Sequence, residues 1–295
     1  MELNKNMDIV YESKTEEWAR QVGICNTNNH ESEITFEEYA KVISETNKDK
    51  WVSVFPDPIG SITVQLTISM CEILAKAAEI GIVKNSRPKI FDEELDEIEK
   101  YIASYMDNST GIKWFVRLNE ASPKDGKYGN GPLMSAKEIV TSLVTSLRAY
   151  RGLMRSVDFN ISEKLYIIPW RYDWNESCEF RVFVHERKVT ALSQYVWMKD
   201  CGWNIDNMKI VAPKIVDYCT NLVIPKIIHI DSFVIDVIIV AKTSIITSDT
   251  EFQVELVELN SFGSNLASGS ALFHWINDND ILYGRDNKIV ARYIS

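Results

Sequence analysis

The sequence predicts a mixed α+β protein with mostly antiparallel sheets, and the order of its local patterns supports this class. Helical patterns dominate roughly the first third of the chain, while strand patterns separated by turn residues dominate from residue 164 onward. A strand, a turn-rich loop and a helix lie between these regions. This order is typical of the α+β class. With 295 residues, 45% of them hydrophobic, the chain can bury a sizeable core in one large domain or in two lobes.

The first third of the chain is rich in helical patterns. They cover residues 15–22, 35–46, 62–83 and 92–106. The third is long and largely apolar, and it ends near Gly81, since glycine favours helix ends. The fourth places Leu95, Ile98 and Ile102 on one face and acidic residues on the other, which predicts an amphipathic helix.

The middle of the chain reads as strand, loop and helix. Residues 112–118 have the β-branched and aromatic content of a strand, and residues 122–132 are rich in glycine and proline. Ser135 with Glu138 three positions later forms a capping-box pattern, which predicts the start of a helix. An apolar stripe at helical spacing then continues from Ile139 to Met154.

The last part of the chain is dominated by strand patterns. They cover residues 164–171, 179–185, 188–195, 228–241 and 252–259. The second and third are joined by the short polar link Glu186-Arg187, and the last two by a Thr/Ser/Asp-rich connection, so each pair predicts a hairpin. A predicted helix at residues 211–222, ended by Pro225, separates the two hairpins.

Charge and hydropathy exclude several classes of protein. The chain has 42 acidic and 32 basic residues and a net charge of −10, whereas binding to nucleic acid phosphates needs clustered Lys and Arg. The first 30 residues contain no apolar run like a signal-peptide core. The most apolar stretch, residues 221–241, carries Lys226 and Asp236, which are costly inside a bilayer. We therefore expect a cytoplasmic protein that binds neither nucleic acid nor membrane.

Three oxygen-bearing side chains on the last predicted hairpin form a candidate metal site. Asp236 lies on one strand, while Glu258 and Asn260 share a face of the next, because side chains alternate along a strand. A buried carboxylate needs a partner, and oxygen ligands of this kind suit Mg²⁺, which is usually bound with substrate phosphates. In the alternative interpretation, Asp236 meets a buried basic group and the other two residues only end a strand.

Basic residues on the predicted strands could contact phosphate. They are Arg117, Arg171 and Arg181, together with Lys124, which follows the first of these strands. Arg181 stands between Phe180 and Val182, where an apolar residue is usual, so it needs an anionic partner. That partner is either an internal carboxylate, Glu179 or Glu258, or a nucleotide phosphate. The glycine motifs of P-loop and Rossmann nucleotide sites are absent from the sequence.

Several segments together resemble the cell division cycle protein 123 family. Residues 114–126 read WFVRLNEASPKDG, which is similar to the family's FVKLNWSSPKDA. Residues 170–195 contain WR, EFRVFV and ALSQY, which resemble WR, EFRCFV and IGISQRDY. Residues 236–237, 257–263 and 271–275 read DV, VELNSFG and ALFHW, and resemble DVY, IDFNPFG and LLFSW. The blocks occur in the family's order over residues 112–276, while the first hundred residues match poorly.

The resemblance implies an ATP-grasp fold, in which two α+β lobes hold ATP and Mg²⁺ between them. The division expected on this basis is a helix-rich region at 1–110, a first lobe segment at 111–168 and a second lobe at 169–295. By resemblance, Asp236, Glu258 and Asn260 are metal ligands, and Asp236 and Asn260 also contact ATP.

The other implied ATP-binding residues are mostly basic. Arg117 and Arg181 are phosphate contacts, Lys124 belongs to a loop above the phosphates, and the backbone near Trp170 and Arg171 borders the adenine. The chain has Arg117 where the family has lysine, and Glu258 where it has aspartate.

The resemblance also implies a function. The family's eukaryotic members are assembly chaperones for translation initiation factor 2 that bind its gamma subunit and promote joining of the alpha subunit. We therefore expect an ATP–Mg²⁺-binding chaperone with that gamma subunit as partner. The alternatives are a carboxylate–amine ligase that acts through an acyl phosphate, as in many ATP-grasp enzymes, and a degenerate fold kept as a protein-binding module.

Overall fold

The protein divides into two compact units, of which the second is inserted in the sequence of the first. The computed structural model describes residues 8–23, 34–106, 111–241, 247, 250–266 and 268–295. The first unit comprises residues 1–46 and 173–295, and the second comprises residues 47–172. These boundaries differ from the expected division at residues 110 and 168. The difference arises because the strand and helices between residues 62 and 106 pack with residues 111–172 in one core.

The first unit is built on a mixed six-stranded sheet. Its strands are β1 (Ile9–Lys14), β5 (Glu179–His185), β6 (Lys188–Gln194), β7 (Phe233–Ala241), β8 (Phe252–Ser261) and β9 (Ile289–Ile294). The strand order is β1-β9-β6-β5-β7-β8, with β9 parallel to both of its neighbours and the other pairs antiparallel. The predicted hairpins β5–β6 and β7–β8 are both confirmed.

Helices of the first unit cover and flank this sheet. They are α1 (Glu16–Gly23), α2 (Phe36–Ser44), α8 (Ile205–Tyr218), a π-helical turn (Cys219–Val223), α9 (Ile224–Lys226) and α10 (Asn279–Leu282), with a 3₁₀ turn at Glu176–Cys178. The Thr35 and Glu38 capping box starts α2. Helix α8 contacts both edge strands, β1 and β8, so it crosses the sheet. It begins earlier than predicted because Asn204 caps its first turn.

The second unit packs helices on a three-stranded antiparallel sheet of order β2-β4-β3. Its elements are α3 (Lys48–Trp51), β2 (Ile62–Leu66), α4 (Ile68–Lys84), a 3₁₀ turn (Lys89–Phe91), α5 (Asp92–Ala103), β3 (Trp114–Leu118), α6 (Ala136–Val144), α7 (Leu147–Asp158) and β4 (Glu163–Pro169). Leu66, Leu118 and Leu165 from the sheet are fully buried in the same core as Leu74 and Leu143 from the helices.

Two helix predictions in this unit are wrong in extent. Residues 62–66, predicted as the start of a long helix, form β2, because Thr67 caps α4 by accepting a hydrogen bond from the Met70 amide at 3.2 Å. The stripe from Ile139 to Met154 is divided between α6 and α7. Ser146 separates the two helices, because it caps the start of α7 by accepting a hydrogen bond from the Ala149 amide at 3.0 Å.

Candidate functional site

A row of polar side chains crosses all six strands of the larger sheet. Each member is the cross-strand partner of the next, so all lie on one face of the sheet. In strand order the members are Glu12, Arg292, Ser193, Arg181, Asp236 and Glu258. We call this set the polar row. Its four central members are at most 6% exposed. Because polar groups are rarely buried in the middle of a sheet, the row marks this face as a candidate functional site.

Arg181 and Asp236 form a two-pronged ion pair at the centre of the polar row. Arg181 donates from Nε to Asp236 Oδ1 at 2.8 Å and from Nη2 to Oδ2 at 2.7 Å. Burial lowers the pKa of the guanidinium, but attraction and hydrogen bonding to Asp236 outweigh it, so the pKa is raised. The sequence left open whether the anionic partner of Arg181 is an internal carboxylate or a nucleotide phosphate, and the structure shows an internal carboxylate. That partner is Asp236, and Glu179 instead accepts from Trp174 Nε1 at 2.6 Å.

Glu258 and Asn260 come together with Asp236, as the alternation of β8 predicts. Asn260 Nδ2 donates to Asp236 Oδ2 at 3.0 Å and lies 3.5 Å from Glu258 Oε1. The pairing register shifts at Asp236, so that Glu258 faces Asp236 while Leu256 faces Val237. This β-bulge lies directly beside the pair of Asp236 and Glu258, and bulges are common near functional sites. The amino-acid sequence contains no clear signal for the bulge.

The segment formed by residues 268–278 lies along the polar row. Arg181 Nη1 donates to the Gly269 carbonyl at 2.6 Å, and Ser193 Oγ accepts from the Leu272 amide at 3.5 Å. Ala271 has a φ of 50°, in the left-handed region, which an alanine adopts only when its surroundings impose it. The row therefore also fixes the backbone of this segment.

Arg292 is a member of the polar row that the sequence interpretation missed, and it anchors the backbone of residues 268–278. It donates to Glu12 Oε2 at 2.7 Å and to both carboxylate oxygens of Asp278 at 2.6 and 2.8 Å, and it also reaches the Leu272 carbonyl at 3.3 Å. The sequence does contain a signal for this residue, because Arg292 interrupts an apolar strand in the same way as Arg181 does.

The second unit contains the remaining predicted nucleotide residues. Arg117, on β3, is 4% exposed and donates to the Leu118 carbonyl at 3.3 Å and to the Glu120 carbonyl at 3.4 Å. Lys124 is half-buried in the turn that the Gly126 amide closes on the Pro123 carbonyl at 2.9 Å. Trp170 and Arg171 are half-buried and directly follow β4. The Trp170 amide donates to the Lys113 carbonyl at 2.8 Å.

Lys48 is a buried cation on the same sheet face as Arg117. It is 2% exposed, and its Nζ lies 2.6 Å from Asp57 Oδ1, 4.4 Å from the Trp51 ring centre and 5.2 Å from the Tyr166 ring centre. Tyr166 is the cross-strand partner of Arg117. No pattern in the sequence distinguishes Lys48 from the exposed Lys50 two positions later.

The donor set around Asp236 fits a hard divalent cation that is bound together with phosphate. Two carboxylate oxygens, Asp236 Oδ2 and Glu258 Oε1, lie within 3.5 Å of the Asn260 side-chain nitrogen. Mg²⁺ in proteins is usually held by one or two carboxylates, with phosphate and water completing the shell. Within the described ranges, no group of three or more His, Cys, Asp or Glu residues could hold a metal ion.

The fold and the polar row together define a mixed α+β protein with a candidate divalent-cation site on its larger sheet. The sequence profile of the D123 family matches residues 83–294, which is most of the chain. The chain belongs to the D123 family. The α+β class and the predicted relationship to the cell division cycle protein 123 family are thereby confirmed.

Solved structures support the same relationship at the level of fold. The structure of Cdc123 from Schizosaccharomyces pombe is similar with a TM-score of 0.60 and 19% identity, over 89% of this chain and 99% of that chain. A C-terminally truncated form of that protein gives a TM-score of 0.60 and 18% identity, over 90% and 100% of the two chains. A RimK domain protein ATP-grasp from Sphaerobacter thermophilus reaches a TM-score of only 0.35 at 8% identity, over 94% and 78% of the chains.

No curated protein sequence matches the chain. Among the helices in the described part of the chain, none is long and apolar enough to cross a membrane.

Proposed function

We propose that the protein binds ATP with Mg²⁺ and acts as an assembly chaperone for translation initiation factor 2 through its gamma subunit. The observation that carries the ATP part is the convergence of Asp236, Glu258 and Asn260 on one face of the larger sheet. The chaperone part is supported by membership of the family over residues 83–294, because eukaryotic members of the cell division cycle protein 123 family have this role.

In this proposal the residues of the chain bind and orient the nucleotide. Asp236, Glu258 and Asn260 hold Mg²⁺, whose bound charge neutralises phosphate oxygens. Arg117 and Lys124 contact the phosphates, Arg181 fixes Asp236 beside them, and the backbone at Trp170 and Arg171 borders the adenine. We propose a cytoplasmic site of action, as for any partner of a translation factor.

The ATP part is tested by calorimetric titration of the protein with ATP and Mg²⁺. Glu258→Gln removes one carboxylate without changing the shape of the side chain, and we expect it to weaken Mg²⁺–ATP binding at least ~10-fold because a ligand charge is lost. Glu255→Gln, on the same strand but outside the polar row, is the matched control and should bind as the wild type does. Equal affinities for both variants would contradict the assignment of Glu258.

The chaperone part is tested by capture of the isolated gamma subunit on the immobilised protein, with ATP and Mg²⁺ present. We expect capture by the wild-type chain and by Glu255→Gln. Failure of the wild type to retain the gamma subunit would exclude the chaperone role. ADP release that depends on an added amino acid or peptide acceptor would instead favour a carboxylate–amine ligase.

A further inference from the structure

We propose that Arg181 is a resident counter-cation for the candidate metal site and a positioning residue for it. It compensates the charge of Asp236 when no metal is bound, and it ties Asp236 to the backbone of residues 268–278. The inference rests on the proposed function in taking Asp236 as a metal ligand. It replaces the direct phosphate contact that the resemblance implies for Arg181.

The geometry of the guanidinium supports this role. All three of its nitrogens donate inside the first unit: Nε and Nη2 to Asp236, and Nη1 to the Gly269 carbonyl. The side chain also lies over the Tyr195 ring, 5.1 Å from its centre, and the residue is 6% exposed. A planar guanidinium held on two sides in this way has little freedom to turn toward a ligand.

The positive charge of Arg181 should weaken the binding of a divalent cation at Asp236. Asp236 is 1% exposed, so water screens its interaction with Arg181 poorly. A divalent cation that approaches Asp236 is attracted by the carboxylates and repelled by the guanidinium. We therefore expect the wild-type site to bind a divalent cation weakly without nucleotide, and well only when phosphate charge offsets that of Arg181.

The contact with Gly269 gives Arg181 its second role. Residues 268–278 are held at one end by Arg181 and further along by Arg292, which binds the Leu272 carbonyl and Asp278. Only the first of these two arginines touches Asp236. Arg292 is therefore a matched control, since its loss weakens the hold on the same segment without changing the charge beside the metal ligands.

The test is a titration with Mn²⁺ in the absence of nucleotide. Binding is monitored by electron paramagnetic resonance and by the change in unfolding temperature. Arg181→Gln removes the resident charge and should bind Mn²⁺ at least ~10-fold more tightly than the wild type, because one repelling charge is gone. Arg181→Lys keeps the charge but not the two-pronged contact, so its Mn²⁺ affinity should stay weak. Arg292→Gln should also bind Mn²⁺ as the wild type does.

Each outcome for Arg181→Gln decides the proposal. Tighter Mn²⁺ binding supports it, as does a variant that folds only when Mn²⁺ is added. Unchanged Mn²⁺ affinity overturns it, and so does a variant that fails to fold even with saturating Mn²⁺. Because no nucleotide is present, these results are independent of whether the wild type binds ATP, and the two proposals can fail separately.

For the positioning role, amide hydrogen exchange is the readout. Arg181→Lys should raise exchange at residues 268–278, because the carbonyl of Gly269 loses its planar donor. Unchanged exchange in this segment would remove the positioning role from Arg181.

Discussion

Each unit buries a carboxylate in its sheet, but the two carboxylates have different kinds of hydrogen-bond donor. Asp236 in the first unit is 1% exposed and is paired with a guanidinium, while Glu163 in the second unit is 4% exposed. Within the described residues, the donors to Glu163 are neutral: the amides of Asn119 at 3.1 Å and Lys164 at 2.8 Å, and the Ser156 hydroxyl at 3.2 Å.

This difference has a chemical consequence. Burial raises the pKa of Glu163 to about 7, against the lowering effect of its hydrogen bonds. In the first unit it is the pKa of the cation, Arg181, that is raised. A neutral hydrogen-bond network therefore leaves a buried carboxyl able to change charge near neutral pH, whereas a paired cation commits the site to a fixed charge distribution. The same change from carboxylate to amide should have opposite effects in the two units.

The largest effect is expected for Asp236→Asn. The amide offers Arg181 one oxygen instead of two and leaves the buried guanidinium without a counter-charge, so we expect a loss of ~3–5 kcal/mol in the free energy of unfolding. Denaturant unfolding at neutral pH measures it. Asp280→Asn, in the exposed pair with Arg285, is the control and should cost no more than ~0.5 kcal/mol. Similar values for the two variants would remove the contrast between the units.

A smaller and pH-dependent effect is expected for Glu163→Gln. A carboxyl whose pKa is raised on folding contributes its full stability below the ordinary value of 4.5 and loses it as the pH rises through about 7. The wild type should therefore lose about 3 kcal/mol from this group over that range, since each unit of pKa shift corresponds to about 1.4 kcal/mol.

The Glu163→Gln variant should not show this loss. Its free energy of unfolding should therefore rise relative to that of the wild type as the pH is raised from about 4 to about 8. Unfolding free energies measured across this range for the variant and the wild type provide the test. Glu97→Gln on the exposed face of α5 should leave the wild-type pH profile unchanged. Parallel profiles for wild type and Glu163→Gln would mean that the Glu163 carboxyl does not titrate there.

The smallest effect is expected for Ser156→Ala. It removes the hydroxyl that donates to Glu163 Oε2, so the charged form loses a partner, and the wild type should be more stable by about 1 kcal/mol above pH ~7. The pH at which Glu163 titrates should also move upward. Ser104→Ala, at the exposed end of α5, is the control. An unchanged titration would show that Ser156 does not support the Glu163 charge.

Local patterns were sufficient to predict the class and both hairpins, because alternation and turn residues determine these features over short distances. Asp236, Glu258 and Asn260 were grouped correctly for the same reason, since they belong to one hairpin. Arg181 was recognised as needing an anion and Asp236 as a candidate partner of a buried basic group, but the two were not matched, because no local pattern shows that β5 pairs with β7.

Features that depend on distant pairing were missed. Among the residues that the structure describes, strand β1 pairs with β9 alone, some 280 positions later, so nothing local marks either as part of the main sheet. Strand β2 was assigned to a helix because its apolar residues continue directly into α4. The bulge opposite Asp236 depends on how two strands align, and alignment is not encoded in the composition of either strand.

The insertion of the second unit also orders events during synthesis on the ribosome. Every strand and helix of that unit lies between residues 47 and 172, so it can fold as soon as this stretch has emerged. The larger sheet cannot be completed then, because β9 stands between β1 and β6 and is translated after all its neighbours. Until that strand arrives, β1 has no partner in the sheet and Arg292 is absent from the polar row. The candidate metal site therefore belongs to a sheet that is completed last, after the whole second unit has been translated.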